Sequence, residues 1–165
     1  MNKEKLEEKI GEAIGLEMAA QKAVKELSSK GLLPEDNTVK TKLEGMRKEA
    51  NNHQTQMEEL VTKLTESEGL DSSNIQQMAK ETEQKATKMM ETYLGEDPDS
   101  QEALEFLCLA EGGEVTHYEV LSEMTKDIKD RQMRTKIKSI LEEEQQHLLL
   151  CTQLAKKNAI AISSS

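Results

Sequence analysis

The stretch "LEEEQQHLLLC", Leu141–Cys151, sets a carboxylate and an imidazole inside a strongly apolar run. Glu144 and His147 are three residues apart, so in a helix they lie on one face. The four consecutive apolar residues 148–151 indicate that this face is buried. An ionised carboxylate in an apolar core costs on the order of several kcal/mol unless it is paired. The rest of the chain must therefore supply partners for Glu144.

The composition predicts an all-α protein. The chain has 165 residues, 35% of them hydrophobic and only 2% aromatic, with two prolines. Ala, Leu, Glu, Lys, Gln and Met dominate, and these residues favour helices over strands. A chain of this length suits one domain, so we predict a single all-α domain over residues 1–165.

Charge and hydropathy exclude several classes of protein. The net charge of −10 argues against a nucleic-acid partner, because such proteins need a basic face. No uninterrupted apolar stretch approaches the ~20 residues of a membrane span. The N-terminus "MNKEKLEEKIGEA" is charged throughout, unlike a signal peptide. Cys108 and Cys151 form no C-x-x-C motif, which argues against a disulfide framework or zinc ribbon. We expect a cytoplasmic protein.

Start and stop signals divide the chain into five predicted helices. Four long helices are predicted at about 2–29, 38–66, 100–125 and 130–158, and a middle helix at about 73–94. Gly and Pro residues separate several of them, and Asp99 with Glu102 predicts a capping box. The C-terminal "AIAISSS" is predicted to be a frayed tail.

Each of the four long helices has an apolar face that an acid or an imidazole interrupts near its middle. The interrupting residues are Glu17 in the first helix, His53 in the second with Glu49 on its flank, Glu111 and Glu114 in the third, and Glu144 and His147 in the last. The middle helix has no carboxylate at the centre of its apolar face. The four long helices therefore predict one bundle with a polar layer at mid-height.

Carboxylates crowded into such a layer cannot all stay charged without cations. Two divalent metal ions supply four positive charges. Oxygen donors with imidazole suit iron or manganese, and zinc also takes such ligands. A bundle in which two helices each give a Glu and two give Glu-x-x-His is the plan of di-iron and di-manganese carboxylate proteins.

The chain also has the pattern of a duplication. Glu17 precedes Glu49 by 32 residues, and Glu111 precedes Glu144 by 33. Residues 67–97 lie between the halves and hold the middle helix. A long helical crossover lets the second and third bundle helices run parallel, as in ferritin-like folds. We therefore predict a ferritin-like four-helix bundle with a helical crossover.

Four motifs resemble the ferritin-like superfamily, and its rubrerythrin di-iron domain above all. The matching segments are "AIGLEMAAQKA" around Glu17, "EGGEVTHYE" with Glu111 and Glu114, "EEEQQHLLL" with Glu144 and His147, and "KEANNHQ" with Glu49. In the last motif Asn52 occupies the position of the histidine in Glu-x-x-His, and His53 is the next residue. The resemblance covers about residues 5–157 and lacks the paired C-x-x-C motifs of a rubredoxin domain. The chain is also similar to small bacterial ferritin-like stress proteins.

The resemblance implies a rubrerythrin-like oxidoreductase, a peroxidase with two iron ions. It would reduce peroxide or dioxygen with electrons from an external donor, and it would be a homodimer. The implied ligands are Glu49 and Glu144 as bridging carboxylates, Glu17 and Glu111 as terminal ones, His147 as a nitrogen ligand, Glu114 as an additional ligand in one oxidation state, and His53 in place of the missing histidine.

Other interpretations stay open at this point. The chain could be a non-catalytic metal-binding or iron-handling stress protein, or a structural bundle that has lost its metal. Asn52, at the histidine position of the second-helix motif, supports both of these alternatives. Taken singly, Glu17 could be structural, and His53 could be a core histidine with its hydrogen bonds satisfied. Cys108 and Cys151 are most simply buried apolar residues.

Overall fold

The computed structural model describes residues 2–165 and consists of helices and short connections. The helices are α1 (Lys3–Ser29), α2 (Asn37–Glu68), α3 (Ser72–Leu94), α4 (Ser100–Met124) and α5 (Arg131–Ser163). No strand occurs among residues 2–165. The prediction of an all-α bundle is confirmed, and four of the five predicted helices end within two residues of the observed bounds.

A side chain caps the N-terminus of every helix. The capping residues are Asn2, Asp36, Asp71, Asp99 and Asp130. Each accepts a hydrogen bond from backbone N–H groups of the first turn, which have no partner within the helix. The capping box predicted for Asp99 and Glu102 is present. At the other end of α2, Gly69 has a φ of 66°, a conformation that glycine adopts without strain.

The C-terminal end of α5 differs from the prediction. The frayed tail predicted after residue 158 is wrong, because the helix continues to Ser163. No glycine or proline follows Asn158 to end the helix, and alanine favours its continuation. Ile160 and Ile162 lie exposed on this last part of α5.

Contacts between side chains fix the directions of the helices. The pairs are Gln21 with Asn51 and Glu17 with His53 between α1 and α2, Glu49 with His147 and Glu59 with Lys136 between α2 and α5, and Gln101 with Asn158 and Glu111 with His147 between α4 and α5. In each set, residue numbers rise along one helix as they fall along the other. Both α2 and α4 are thus antiparallel to α5, so they run parallel to each other, as predicted.

The crossover helix α3 runs parallel to α1. Near the start of both helices, Glu7 accepts hydrogen bonds from the Asp71 N–H and the Asn74 amide, both at 2.8 Å. Two turns further along α1, Gly15 faces Ala79 of α3. The α3 helix therefore carries the chain from the end of α2 back to the bundle end where α4 begins.

Glycines allow α1 and α3 to approach closely. A Cβ atom on Gly11 would lie 2.5 Å from the Met78 Cβ atom, and one on Gly15 would lie 2.4 Å from the Ala79 carbonyl oxygen. Both distances are too short for any side chain. The two glycines lie on one face of α1, four residues apart, and so form the contact surface for α3.

The apolar core has two parts, one at each end of the bundle. One contains Leu6, Met57, Leu121 and Ile137, and the other contains Leu27, Leu43, Leu104 and Leu154. All four predicted core faces are buried. The interrupting acids and histidines lie between the two parts. The polar layer is thus closed above and below by packed apolar side chains.

The predicted apolar face of α3 is only partly buried. Ile75, Ala79 and Met90 are buried, whereas Met89 and Tyr93 are 61% and 44% exposed. Among residues 2–165, no helix combines the length and the hydropathy that crossing a membrane requires.

Candidate metal centre

Six ionisable side chains meet in the layer between the two apolar clusters. They are Glu17 of α1, His53 of α2, Glu111 and Glu114 of α4, and Glu144 and His147 of α5. None is more than 4% exposed. The sequence predicted all six as ligand candidates, and the fold brings them together from four helices.

Glu144 lies between the two histidines. Its Oε1 atom is 2.6 Å from His53 Nδ1, and its Oε2 atom is 3.5 Å from His147 Nδ1. His53 Nδ1 is also 3.3 Å from Glu17 Oε1. The Tyr118 hydroxyl donates to that same Glu17 oxygen at 2.7 Å and so fixes its position.

Two groups of three residues have the geometry of a metal site. One consists of Glu17, His53 and Glu144, and the other of Glu111, Glu144 and His147. In each group the ligand atoms lie within 4.8 Å of one another. Ligand atoms about 2.0–2.2 Å from one metal lie at most about 4.4 Å apart, so small side-chain movements would close each group around an ion. Glu144 belongs to both groups.

Several buried carboxylate oxygens in the layer lack a hydrogen-bond donor. They are Glu17 Oε2, Glu111 Oε2, both oxygens of Glu114, and Glu144 Oε2. Buried polar atoms without partners are rare and costly in proteins, so a cluster of them requires an explanation. A cation would satisfy them together. Carboxylate oxygens with two imidazoles form a donor set that fits iron or manganese.

The outer nitrogen of each histidine contacts a carboxylate at the rim of the layer. His53 Nε2 lies 2.6 Å from Glu143 Oε2, and His147 Nε2 lies 2.5 Å from Glu49 Oε2. These two glutamates are 46% and 56% exposed. Histidines that bind metals commonly donate their second N–H to such a carboxylate.

Glu49 thus lies outside both three-residue groups, at the rim of the layer. Its bridging role, which the resemblance implied, stays a prediction. Glu143 was missed at the sequence level. The signal that would have found it is its spacing, because Glu143 precedes His147 by four residues as Glu49 precedes His53.

The two halves of the chain match at a constant offset of 94 residues. The pairs are Glu17 with Glu111, Glu49 with Glu143, and His53 with His147. This match differs by one residue from the one that the sequence suggested, which paired Glu49 with Glu144. The counterpart of Glu144 is Ala50, which is 3% exposed. Helix α2 therefore faces the layer with a histidine and a methyl group where α5 has a histidine and a carboxylate.

The remaining polar candidates lie outside the layer. Asn52 is exposed on α2. His117 is partly buried, and its Nδ1–H donates to the Gly113 carbonyl oxygen at 2.8 Å. Cys151 is a buried free thiol whose Sγ atom lies 3.6 Å from Met46 Sδ, next to the layer.

Burial shifts the pKa values of three carboxyl groups upward. It raises the pKa of Glu17 to about 7, although contacts with His53 act in the opposite direction. Burial and the nearby charge of Glu144 raise the pKa of Glu111 well above its usual range. Burial also raises the pKa of Glu114, and the charges of Glu111 and Glu144 add to this effect.

The pKa values of the two histidines and of Glu144 shift so that the charged form of each group is favoured. Burial favours a lower pKa for His53, but the carboxylates of Glu144 and Glu17 outweigh it and raise the pKa to about 11. The pKa of His147 also rises, because Glu144 and Glu49 outweigh its burial. Burial opposes ionisation of Glu144, but His147 and His53 lower its pKa to about 2. Without a metal, protons on these groups balance the charges of the layer.

Comparison of the sequence with protein-family models, with curated proteins and with solved structures gives no match in any of the three. The class of the protein therefore rests on its own fold and site. The fold is an all-α bundle, and the site is a buried carboxylate–histidine layer with two groups that could hold a metal ion.

Proposed function

We propose that the chain is a two-metal carboxylate protein that reduces peroxide or dioxygen with electrons from an external donor. Glu17 and His53 would hold one ion, Glu111 and His147 the other, and Glu144 would bind both. The observation that carries this proposal is the place of Glu144, which belongs to both ligand groups. The resemblance of the four helix motifs to rubrerythrin di-iron domains supports iron and this chemistry.

Glu17, His53, Glu111, Glu144 and His147 would hold a pair of iron ions, which would supply the electrons for reduction of an O–O bond, and the external donor would replace those electrons. The residues around the site would hold the metal ligands in position and exclude bulk water. Tyr118 holds Glu17 through its hydroxyl, and the rim carboxylates Glu49 and Glu143 hold the imidazole rings of His147 and His53. The apolar clusters on either side close the layer.

Metal analysis of protein loaded with ferrous iron under anaerobic conditions tests this proposal. We expect about two irons per chain after gel filtration, as in other two-metal bundles. Oxidation of a supplied reductant by hydrogen peroxide, catalysed by the iron-loaded protein, then tests turnover. A chain that retains no iron or manganese would contradict the proposal and leave a structural bundle.

Ala50 favours a second candidate function, iron handling without turnover. With a methyl group at the counterpart of Glu144, only one central carboxylate lies between the two ligand groups. Fewer bridging ligands would hold a pair of ions less firmly. Iron binding without accelerated peroxide consumption would support this second function over the first.

A further inference from the structure

The two cysteines of the chain lie on neighbouring antiparallel helices at the same height. Cys108 of α4 is seven residues after Gln101, and Cys151 of α5 is seven residues before Asn158. The side chains of Gln101 and Asn158 are in direct contact, because the Asn158 amide donates to Gln101 Oε1 at 2.9 Å. Seven residues make two helical turns, so the same register places Cys108 opposite Cys151.

A contact on the other side of the cysteines gives the same register. Glu111 Oε2 lies 3.7 Å from His147 Nδ1. Glu111 is three residues after Cys108, and His147 is four residues before Cys151, so each is about one helical turn away. The α4 and α5 helices pack closely against each other. The two thiols therefore lie in the interface between α4 and α5, one turn from the carboxylate–histidine layer.

The two thiols differ in their access to solvent. Cys108 is partly exposed, whereas Cys151 is fully buried. The Cys151 Sγ atom lies 3.6 Å from Met46 Sδ, so it can turn toward α4 by rotation about its Cα–Cβ bond. Burial raises the pKa of both thiols, and the nearby Glu111 and Cys108 raise that of Cys151 further. A small oxidant in solution therefore meets Cys108 first.

We propose that Cys108 and Cys151 form a redox-active pair that hydrogen peroxide converts to a disulfide. The Cys108 sulfur attacks one peroxide oxygen as the O–O bond breaks, which gives a sulfenic acid and one water molecule. The Cys151 sulfur then forms the S–S bond as the S–O bond breaks and a second water molecule leaves. The two sulfurs together lose two electrons, the peroxide gains them, and both thiol protons end in water. The disulfide links α4 to α5 beside the candidate metal centre, and its formation requires no metal.

Treatment of the folded, metal-free chain with hydrogen peroxide, in the presence of a chelator, tests the proposal. Thiol titration after unfolding should show the loss of both thiols, and dithiothreitol should restore them. Peptide mapping without a reductant should find the peptides of Cys108 and Cys151 joined within one chain. The exposed Met89 serves as an internal clock, because peroxide converts it to the sulfoxide. Retention of both thiols after Met89 has been oxidised would overturn the proposal.

Two single variants assign the roles of the cysteines. In Cys151→Ala the sulfenic acid of Cys108 has no second thiol to react with, so dimedone should label Cys108 in this variant and not in wild type. In Cys108→Ser the fully buried Cys151 should keep its thiol. Labelling of Cys108 by dimedone to the same extent in wild type and in Cys151→Ala would show that Cys151 does not react with the sulfenic acid, and would overturn the proposal.

The double variant Cys108→Ser, Leu109→Cys is the matched control, because it retains two cysteines but shifts one of them by a single residue. That shift turns the side chain by about 100°, away from α5, and position 109 is 55% exposed in the wild type. Its Cys151 thiol should remain free. An intramolecular disulfide in this variant would show that the register of α4 and α5 does not select the pair, and would overturn the proposal. All of these measurements use metal-free protein, so their failure leaves the proposed metal function untouched.

Discussion

His53 and His147 stack in the middle of the bundle, with ring centroids 5.7 Å apart and ring planes inclined by 28°. Each directs its Nδ1 atom toward Glu144 and its Nε2 atom toward a glutamate of the opposite helix at the rim of the layer. That partner is Glu143 for His53 and Glu49 for His147. The arrangement is reciprocal between α2 and α5, and its centre is a carboxylate that only α5 supplies.

The central place of Glu144 predicts unequal effects of two substitutions on metal content. Glu144→Gln removes a ligand of both three-residue groups, so we expect the protein to lose both ions. Glu17→Gln removes a ligand of one group only and should lower the content to about one ion per chain. The measurement is metal analysis after anaerobic loading with iron or manganese and gel filtration.

Glu142→Gln is the matched control, because Glu142 is an exposed glutamate of the same helix as Glu144. It should retain the wild-type metal content. Wild-type metal content in Glu144→Gln would exclude Glu144 as the shared ligand. Equal metal loss in Glu17→Gln and Glu144→Gln would mean that the two ions do not bind in separate groups.

The sequence predicted the bundle and its polar layer because both depend on periodicity. Apolar residues at spacings of three and four mark the buried face of a helix, and each interrupting acid on such a face is buried in the structure. The length of the middle segment predicted the crossover, because a helix of that length spans the bundle. These features follow from local spacing alone.

Which residues of α2 face the polar layer depends on the rotation of the helix about its axis, and the periodicity of apolar residues defines that rotation poorly. One residue changes the direction of a side chain by about 100°. A shift of one residue therefore decides whether Glu49 or position 50 faces the layer, and the structure places Glu49 at the rim.

Crowding alone did not distinguish the acids of the layer from one another. The sequence indicated only that the crowded carboxylates cannot all stay charged without cations. In the structure Glu111 and Glu114 follow this expectation, whereas two histidines hold the pKa of Glu144 low. Side-chain partners across helices decide the difference, and no pattern within one helix reports them.

Ala50→Glu tests the match between the two halves of the chain. The new carboxylate would occupy the place on α2 that Glu144 occupies on α5. Without metal, we expect this buried charge to destabilise the fold by about 3 kcal/mol, or less if the group is protonated. With iron or manganese bound, the variant should recover much of that loss, so metal should raise its melting temperature more than it raises that of wild type.

Ala50→Gln serves as the control, since it has the same size and shape but carries no charge. Ala50→Gln should be less stable than wild type, and metal should raise its melting temperature no more than it raises that of wild type. If Ala50→Glu and Ala50→Gln show the same response to metal, position 50 does not face the ions. The measurement is thermal unfolding of each variant with and without metal at one pH.

The stability of the metal-free protein should decrease as pH rises from about 5 to about 8. The pKa of Glu17 is raised to about 7, and those of Glu111 and Glu114 are raised as well. The folded state therefore retains protons that the unfolded chain releases above about pH 4.5, and stability is lost as pH rises through the folded pKa values. His53, with a pKa raised to about 11, adds a loss above about pH 6.5.

Below about pH 4.5 the stability should instead fall on further acidification. The pKa of Glu144 is lowered to about 2, so the contribution of its ionised form to stability is lost as pH falls toward that value. Melting temperatures in the presence of a chelator give the profile. Replacing Glu111 and Glu114 together by Gln should flatten the decline between pH 5 and 8. Replacing Glu105 and Glu119, two exposed glutamates of the same helix, by Gln is the control and should leave the decline unchanged. An unchanged decline in the Glu111 and Glu114 double variant would show that these two carboxyl groups do not cause it.

The close contact between α1 and α3 predicts opposite effects of two glycine substitutions. In Gly15→Ala the new Cβ atom would meet the Ala79 carbonyl oxygen at 2.4 Å and the Thr82 Cβ atom at 2.7 Å, so the helices must separate. We expect a loss of about 1–3 kcal/mol in the free energy of unfolding, more than the gain in helix propensity returns. Gly45→Ala, on an exposed face of α2 with nothing within 4 Å, should instead stabilise the protein by up to about 1 kcal/mol. Urea unfolding of the two variants measures both changes, and a stabilised Gly15→Ala would show that α3 does not pack against α1 through this glycine.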